Sequence, residues 1–185
     1  MNFSLTIFLV ILAIVIWSII IFNRFIKYQH LMEEAWAGID AQLKRRADLI
    51  PNLVEVIKGY ARHEEELLGA IAETRSQSLK AESLSEKGLN ENNLTRNLKN
   101  LLVVCEAYPN LLANQNFLDL QKNLSEIENN LQMARRYYNG TVRNYNILVD
   151  SFPSLILARL FCFKKGEFFK LELVTKTEAP EVDFL

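Results

Sequence analysis

"LKRRADLIPNLVEVIKGYARHEEELLGAI", from Leu43 to Ile71, carries a helical apolar pattern on both sides of Pro51. An interior proline removes one backbone hydrogen bond, and its ring presses on the carbonyl one turn earlier. Either the chain reverses here or one helix continues through. Upstream, Phe25, Tyr28, Met32, Trp36, Ile39 and Leu43 step by three or four, the spacing that lines one helix face. The steps continue through Arg46, Ile50, Leu53, Ile57, Tyr60, Glu64, Leu67 and Ile71. A turn would reset that phase and surround the proline with Gly, Asn or Ser; "DLIPNLVE" offers Asn52 alone. The spacing predicts one helix that passes through Pro51, bends there and fades between Arg75 and Leu79. Two antiparallel helices hinged at Pro51 are the competing arrangement, because an interior proline costs about 3 kcal/mol and Asp48 suits a helix end. Arg46 and Glu64 put charge on the stripe. Such residues either sit at a rim and reach for water or form a buried ion pair with another helix.

Upstream of this helix, Phe3 to Phe22 is a run of 20 residues without a charge. As a helix it covers about 30 Å, the thickness of a bilayer's hydrocarbon core. A cleaved signal peptide is the alternative, but it wants a basic start, a shorter apolar run and a small-residue cleavage site. The run ends instead in "IIIFNRF", and Trp17, Phe22 and Tyr28 suit an interface. The segment is expected to be an uncleaved anchor that contacts the lipid bilayer through residues 3–22. Arg24 and Lys27 follow it and no Lys or Arg precedes it, so the positive-inside rule puts the remainder in the cytoplasm with the N-terminus outside. Two cysteines, Cys105 and Cys162, are too few to signal a disulfide framework.

Ser76 to Asn93 mixes charges, serines and Gly88 with no sustained stripe, and reads as a solvated loop. Leu94, Leu98, Leu101, Cys105 and Tyr108 then predict a helix from about Asn92, capped by Asn92 or Asn93, to Tyr108. Pro109 opens a connection. The last long helix is the best patterned: Phe117, Leu120, Leu124, Ile127, Leu131, Ala134, Tyr138, Val142, Tyr145, Leu148 and Phe152 step by three or four throughout. Asn116 is the expected cap, and Pro153 the expected stop. The stripe keeps phase across Asn139-Gly140, a pair that otherwise signals a turn. Gly140 still costs about 1 kcal/mol relative to alanine, so a packing reason or a weak point is expected there. "FPSLILARLFCFKKGEFF", Phe152 to Phe169, is too short to span a membrane and is interrupted by Arg159. It reads as a short helix and tail folded on the bundle, with an interfacial segment as the alternative. The division that results is an anchor at 1–28, a bundle of three to four helices at 29–163, and a tail at 164–185.

Chemistry is harder to place. His30 and His63 lie far apart, no C-x-x-C occurs, and no Gly-rich phosphate loop follows a strand. "HEEELL", from His63, has a single histidine and reads as a charged helix face. "LKRR", Leu43 to Arg46, could touch lipid or phosphate, but it also has Asp40 and Asp48 at helical spacing and lies roughly 33 Å along a helix from Phe22. Tyr138 and Tyr145 fall on the buried stripe and need hydroxyl partners, which nearby Asn and Arg side chains can supply. Four N-x-S/T sequons, at Asn2, Asn93, Asn123 and Asn139, are given no role. No residue is nominated as catalytic, cofactor-binding or metal-ligating, and no cofactor is expected. A net charge of −1 argues against nucleic acid as a partner.

"WAGIDAQLKRRADLIPNLVEVIKGYARHE", Trp36 to Glu64, resembles the signature of the LemA family. "CEAYPNLLANQNFLDLQKNLSEIENNLQMARRYYNGTVRNYN" and "SFPSLILA" resemble that family's later blocks in the same order, up to about Phe169. "RLFCFKKGEFF" follows the family's end only loosely. The resemblance implies an all-α bacterial membrane protein, with a transmembrane helix followed by an elongated antiparallel helical bundle and no established enzymatic activity. Three functions follow as expectations: a membrane-anchored scaffold for protein partners not yet named, a self-assembling homo-oligomer that shapes membrane, and a membrane-associated metal-dependent enzyme.

Overall fold

The computed structural model describes residues 3–169, and every regular element among them is helical. The first helix, α1 (Phe3–Lys58), is uninterrupted from the apolar run through Pro51. Pro51 is exposed while Ile50 and Leu53 beside it are buried, so the missing N–H faces water rather than the core. The helix does not fade near Arg75, as the stripe had suggested. It stops at Lys58, and Gly59 and Tyr60 form a turn in which the N–H groups of Tyr60 and Ala61 donate to the Ile57 carbonyl at 2.9 and 2.8 Å. The overlooked signal is a basic last residue followed by glycine, the residue that most weakens a helix. Phase shifts with the turn: Ala61 and Leu68 are buried where the unbroken stripe named Tyr60 and Leu67.

A short 3-10 turn (Arg62–Glu64) leads into α2 (Glu65–Lys80), and α3 (Leu84–Cys105) follows after only three residues. The solvated loop expected over Ser76–Asn93 is therefore a tight helical hairpin, and α3 begins eight residues before Asn92. Ser83, not Asn92 or Asn93, is its cap: the Glu86 N–H donates to the Ser83 hydroxyl at 3.1 Å. Ser83-x-x-Glu86 is the sequence form of a capping box, hidden in a stretch that scored as polar. Polar contacts stitch the hairpin. Ser78 and Glu91, both buried, are hydrogen-bonded; Asn90 donates to the Gln77 carbonyl at 3.2 Å, and Asn97 to the Thr74 hydroxyl at 3.3 Å. After a short α4 (Pro109–Leu112) comes α5 (Gln115–Asp150), whose first turn is capped by Asn114 rather than Asn116: the Phe117 N–H donates to Asn114 Oδ1 at 3.2 Å. It runs through Gly140 and ends before Pro153, as the spacing predicted. The last element is α6 (Ser154–Leu160).

The described residues group into two compact units. One, from Leu49 to Gln121, buries Ile50, Leu53, Ile57, Leu68, Ile71, Leu94, Leu98, Leu101, Leu111 and Phe117. The other combines α1 up to Asp48 with Lys122 to Phe168. Its α1 and α5 run antiparallel: Trp36 meets Tyr138 and, ten residues on, Arg46 meets Glu128, ten residues back. Its core includes Ile21, Phe25, Tyr145, Val149, Leu157 and Ala158, with Trp17 and Phe163 packed against them. Packing of α1 thus begins at the end of the apolar run, with no linker between. Phe152, placed on the stripe by spacing, is exposed because α5 has already ended.

Candidate functional site

In the unit formed by α1 up to Asp48 and Lys122–Phe168, α5 carries two apolar faces. The inner one holds Leu131, Tyr138, Val142, Tyr145 and Val149, all buried. On the opposite side Met133, Tyr137 and Ile147 are half or more exposed. With Gly140 and exposed Asn144 between them, these positions step four, three, four, three, which puts them on one face of the helix. Exposed Arg136 and Arg143 flank that face on one side. A Cβ at Gly140 would meet no atom within 4 Å, so packing within the chain does not require glycine there. Sequence reasoning missed this outer face because it followed only the longer, inner stripe.

The inner side is fixed by polar contacts. Arg46 is only 1% exposed, and its Nη2 forms an ion pair with Glu128 Oε1 at 2.9 Å. Of the two readings of charge on the stripe, the ion pair is the one found. This partner lies on α5; Asp40 and Asp48 are exposed on α1 with Lys44 and Arg45. The Tyr138 hydroxyl donates to the Glu167 carbonyl at 3.0 Å, a main-chain partner rather than the Asn or Arg expected. Burial, and then the charge of Glu167, push this hydroxyl above its ordinary range. Burial pushes Tyr145 up as well, opposed by a side-chain hydrogen bond with Gln29. Asn146 clamps the tail: its Nδ2 donates to the Gly166 carbonyl at 3.0 Å, and its Oδ1 accepts the Gly166 N–H at 2.8 Å. At Gly166 the space is tight, since a Cβ would lie 3.0 Å from the Met32 sulfur and that side chain would have to give way.

In the other unit the second charged stripe position, Glu64, is half-buried and accepts a hydrogen bond from the Tyr108 hydroxyl at 3.2 Å. His63, Glu65 and Glu66 around it are exposed. His30, in the first unit, pairs with Glu33 of its own helix, at 3.2 Å on the surface. Among the described residues no group of three or more His, Cys, Asp or Glu is placed to hold a metal ion.

The Arg46–Glu128 pair can be tested directly. Glu128→Leu leaves the Arg46 charge buried and is expected to destabilise the full-length protein in detergent by about 3 kcal/mol. Adding Arg46→Met removes that charge and is expected to recover most of the loss, as read from thermal unfolding followed by circular dichroism.

Comparison with known proteins adds identity to this geometry. Magnetosome proteins MamQ 1 and MamQ 2 of Paramagnetospirillum magneticum (strain AMB-1) are each 20% identical to the chain, over alignments covering 80% of it and 64% of their own length. Magnetosome protein MamQ of Magnetospirillum gryphiswaldense is 21% identical with the same coverage. The chain thus spans just under two thirds of the length of these curated relatives. Near its N-terminus α1 is long and apolar enough to cross a membrane, and that stretch is almost wholly exposed, unlike the core helix of a water-soluble protein. The sequence model of the LemA family matches residues 35–184, and the chain belongs to that family as a membrane-associated helical protein.

Proposed function

We propose that the protein is a non-enzymatic scaffold at the cell membrane, and that the outer face of α5 receives a helix from a different protein. One observation carries this reading: Met133, Tyr137 and Ile147 are exposed at heptad spacing directly behind a fully buried face of the same helix. Helix-in-groove and coiled-coil partners are held by apolar side chains at this spacing. Charge points to a partner other than a second copy. Arg136 and Arg143 are exposed on one flank, so an acidic flank complements them, whereas an identical helix laid antiparallel brings arginines together. Gly140, which has no packing role within the chain, leaves room for close approach of a partner backbone.

A photoreactive amino acid at Tyr137, introduced in the full chain in cells, tests the reading. The expected result is one discrete adduct with another protein that disappears in Met133→Glu and in Arg136→Glu/Arg143→Glu. No adduct sinks the proposal, and an adduct with a second copy of the chain favours self-assembly instead. Gly140→Ala is expected to stabilise the protein alone by about 1 kcal/mol while weakening that adduct.

We also place the helices beyond the anchor on the cytoplasmic side. Arg24 and Lys27, both exposed, follow the apolar span closely enough to retain that flank inside. A reporter fused at the C-terminus is expected to be active only in its cytoplasm-dependent form; activity only in its exported form reverses the orientation.

A further inference from the structure

We infer that α6 is a second membrane contact, lying in the interface of the same bilayer that α1 crosses, with Phe152, Ile156, Leu160 and Phe161 turned into lipid. The inward face of α6 fixes its position. Leu157 and Ala158 share a core with Ile21 and Phe25, and Trp17 packs against that core. The Phe161 and Phe163 rings lie 5.0 and 5.8 Å from the Phe22 ring, and Phe163 stacks on Phe25 at 4.5 Å. The short helix is thereby held beside the last turns of the uncharged run, where hydrocarbon gives way to headgroups.

Its outward face is apolar. Ile156 is 57% exposed and Leu160 70%, with Phe152 at 81% and Phe161 at 52% at the two ends. Large side chains this exposed, this close together and continuous with a lipid-facing span match the solvent of that span rather than water. Arg159 stands exposed at the edge of the face, and Arg24, Lys27 and Lys164 are exposed nearby in sequence to one or other partner. Long basic side chains at this depth extend their charged ends to the headgroups.

The backbone also suits a medium poor in hydrogen-bond partners. The N–H groups of Phe161, Cys162 and Phe163 close the end of α6 onto the carbonyls of Leu157, Arg159 and Ala158, at 2.9, 3.3 and 2.9 Å. At its start the Ser154 hydroxyl donates to the Leu148 and Ser151 carbonyls, at 2.7 and 2.9 Å. A segment whose main chain is satisfied internally can enter the edge of the bilayer without stranding polar groups.

The test uses the full chain in vesicles of equal parts phosphatidylcholine and phosphatidylglycerol, some of them carrying lipid with a shallow acyl-chain nitroxide. An environment-sensitive fluorophore is placed on Ile156→Cys in a Cys162→Ser background, with Ile20→Cys and Asn144→Cys in the same background as references for lipid and water. Native Cys162, itself exposed, gives the same comparison with no substitution in α6; Cys105 is buried and its thiol is pushed up to about 11, so it stays unlabelled at neutral pH. The expected result is quenching by the lipid nitroxide at position 156 comparable to position 20, with protection from aqueous iodide. Iodide quenching equal to that at position 144 overturns the inference. Protection from both quenchers also overturns it, and points to a protein covering α6.

Discussion

A backbone that enters hydrocarbon must satisfy its own hydrogen bonds, and in a single segment only a helix does so. Here that constraint reaches well past the bilayer. The apolar run and the first rod of the folded part are one helix, α1, with no break at Arg24 or Lys27. Ile21, next to last in the run, already belongs to the core. Whatever orients the span therefore orients Phe25, Trp36 and Arg46 behind it, because a helix carries direction and rotation along its length. The aromatic cluster of Phe22, Phe25, Tyr145, Phe161 and Phe163 is where the chain's later elements grip that helix.

Apolar stripes alone leave the sliding of one helix along another weakly specified. Three contacts with geometric demands set it between α1 and α5: the Trp36–Tyr138 ring pair, the Arg46–Glu128 ion pair and the Phe25–Tyr145 ring pair. A buried guanidinium is a poor contributor to stability but a strict judge of register, because sliding by one turn strands its charge. The Asn146 clamp on Gly166 does the same for the tail, returning it to α5 where a Cβ on residue 166 would press on Met32.

Much of this was legible in the sequence. The helix through Pro51 and the length of α5 follow from spacing that persists over many turns, the membrane span from a long run without charge, and α6 from a short apolar stretch after Pro153. The buried ion pair was one of two open readings of charge on an apolar stripe, the other being a rim position. The losses share one cause: periodicity averages over a window, whereas helix ends are decided by single residues. Gly59 ends α1 although the apolar spacing nearly survives it, and Ser83 starts α3 inside a stretch that looks solvated. The outer face of α5 escaped notice for a related reason, since Met133, Tyr137 and Ile147 lie outside the stripe that explains the fold. The partner of Arg46 was hidden too, because a contact between distant helices leaves no local spacing to read.

Continuity of α1 across the membrane boundary is best tested by a nitroxide scan of residues 17 to 32 in bilayers, reading mobility and accessibility by electron paramagnetic resonance. If α1 is one helix locked into the core, both quantities oscillate with the helical repeat through Arg24 and Lys27, with minima at Ile21, Phe25 and Tyr28. Labels that are uniformly mobile between Asn23 and Tyr28 would show a flexible joint there, and the anchor and the folded helices would then be separate bodies.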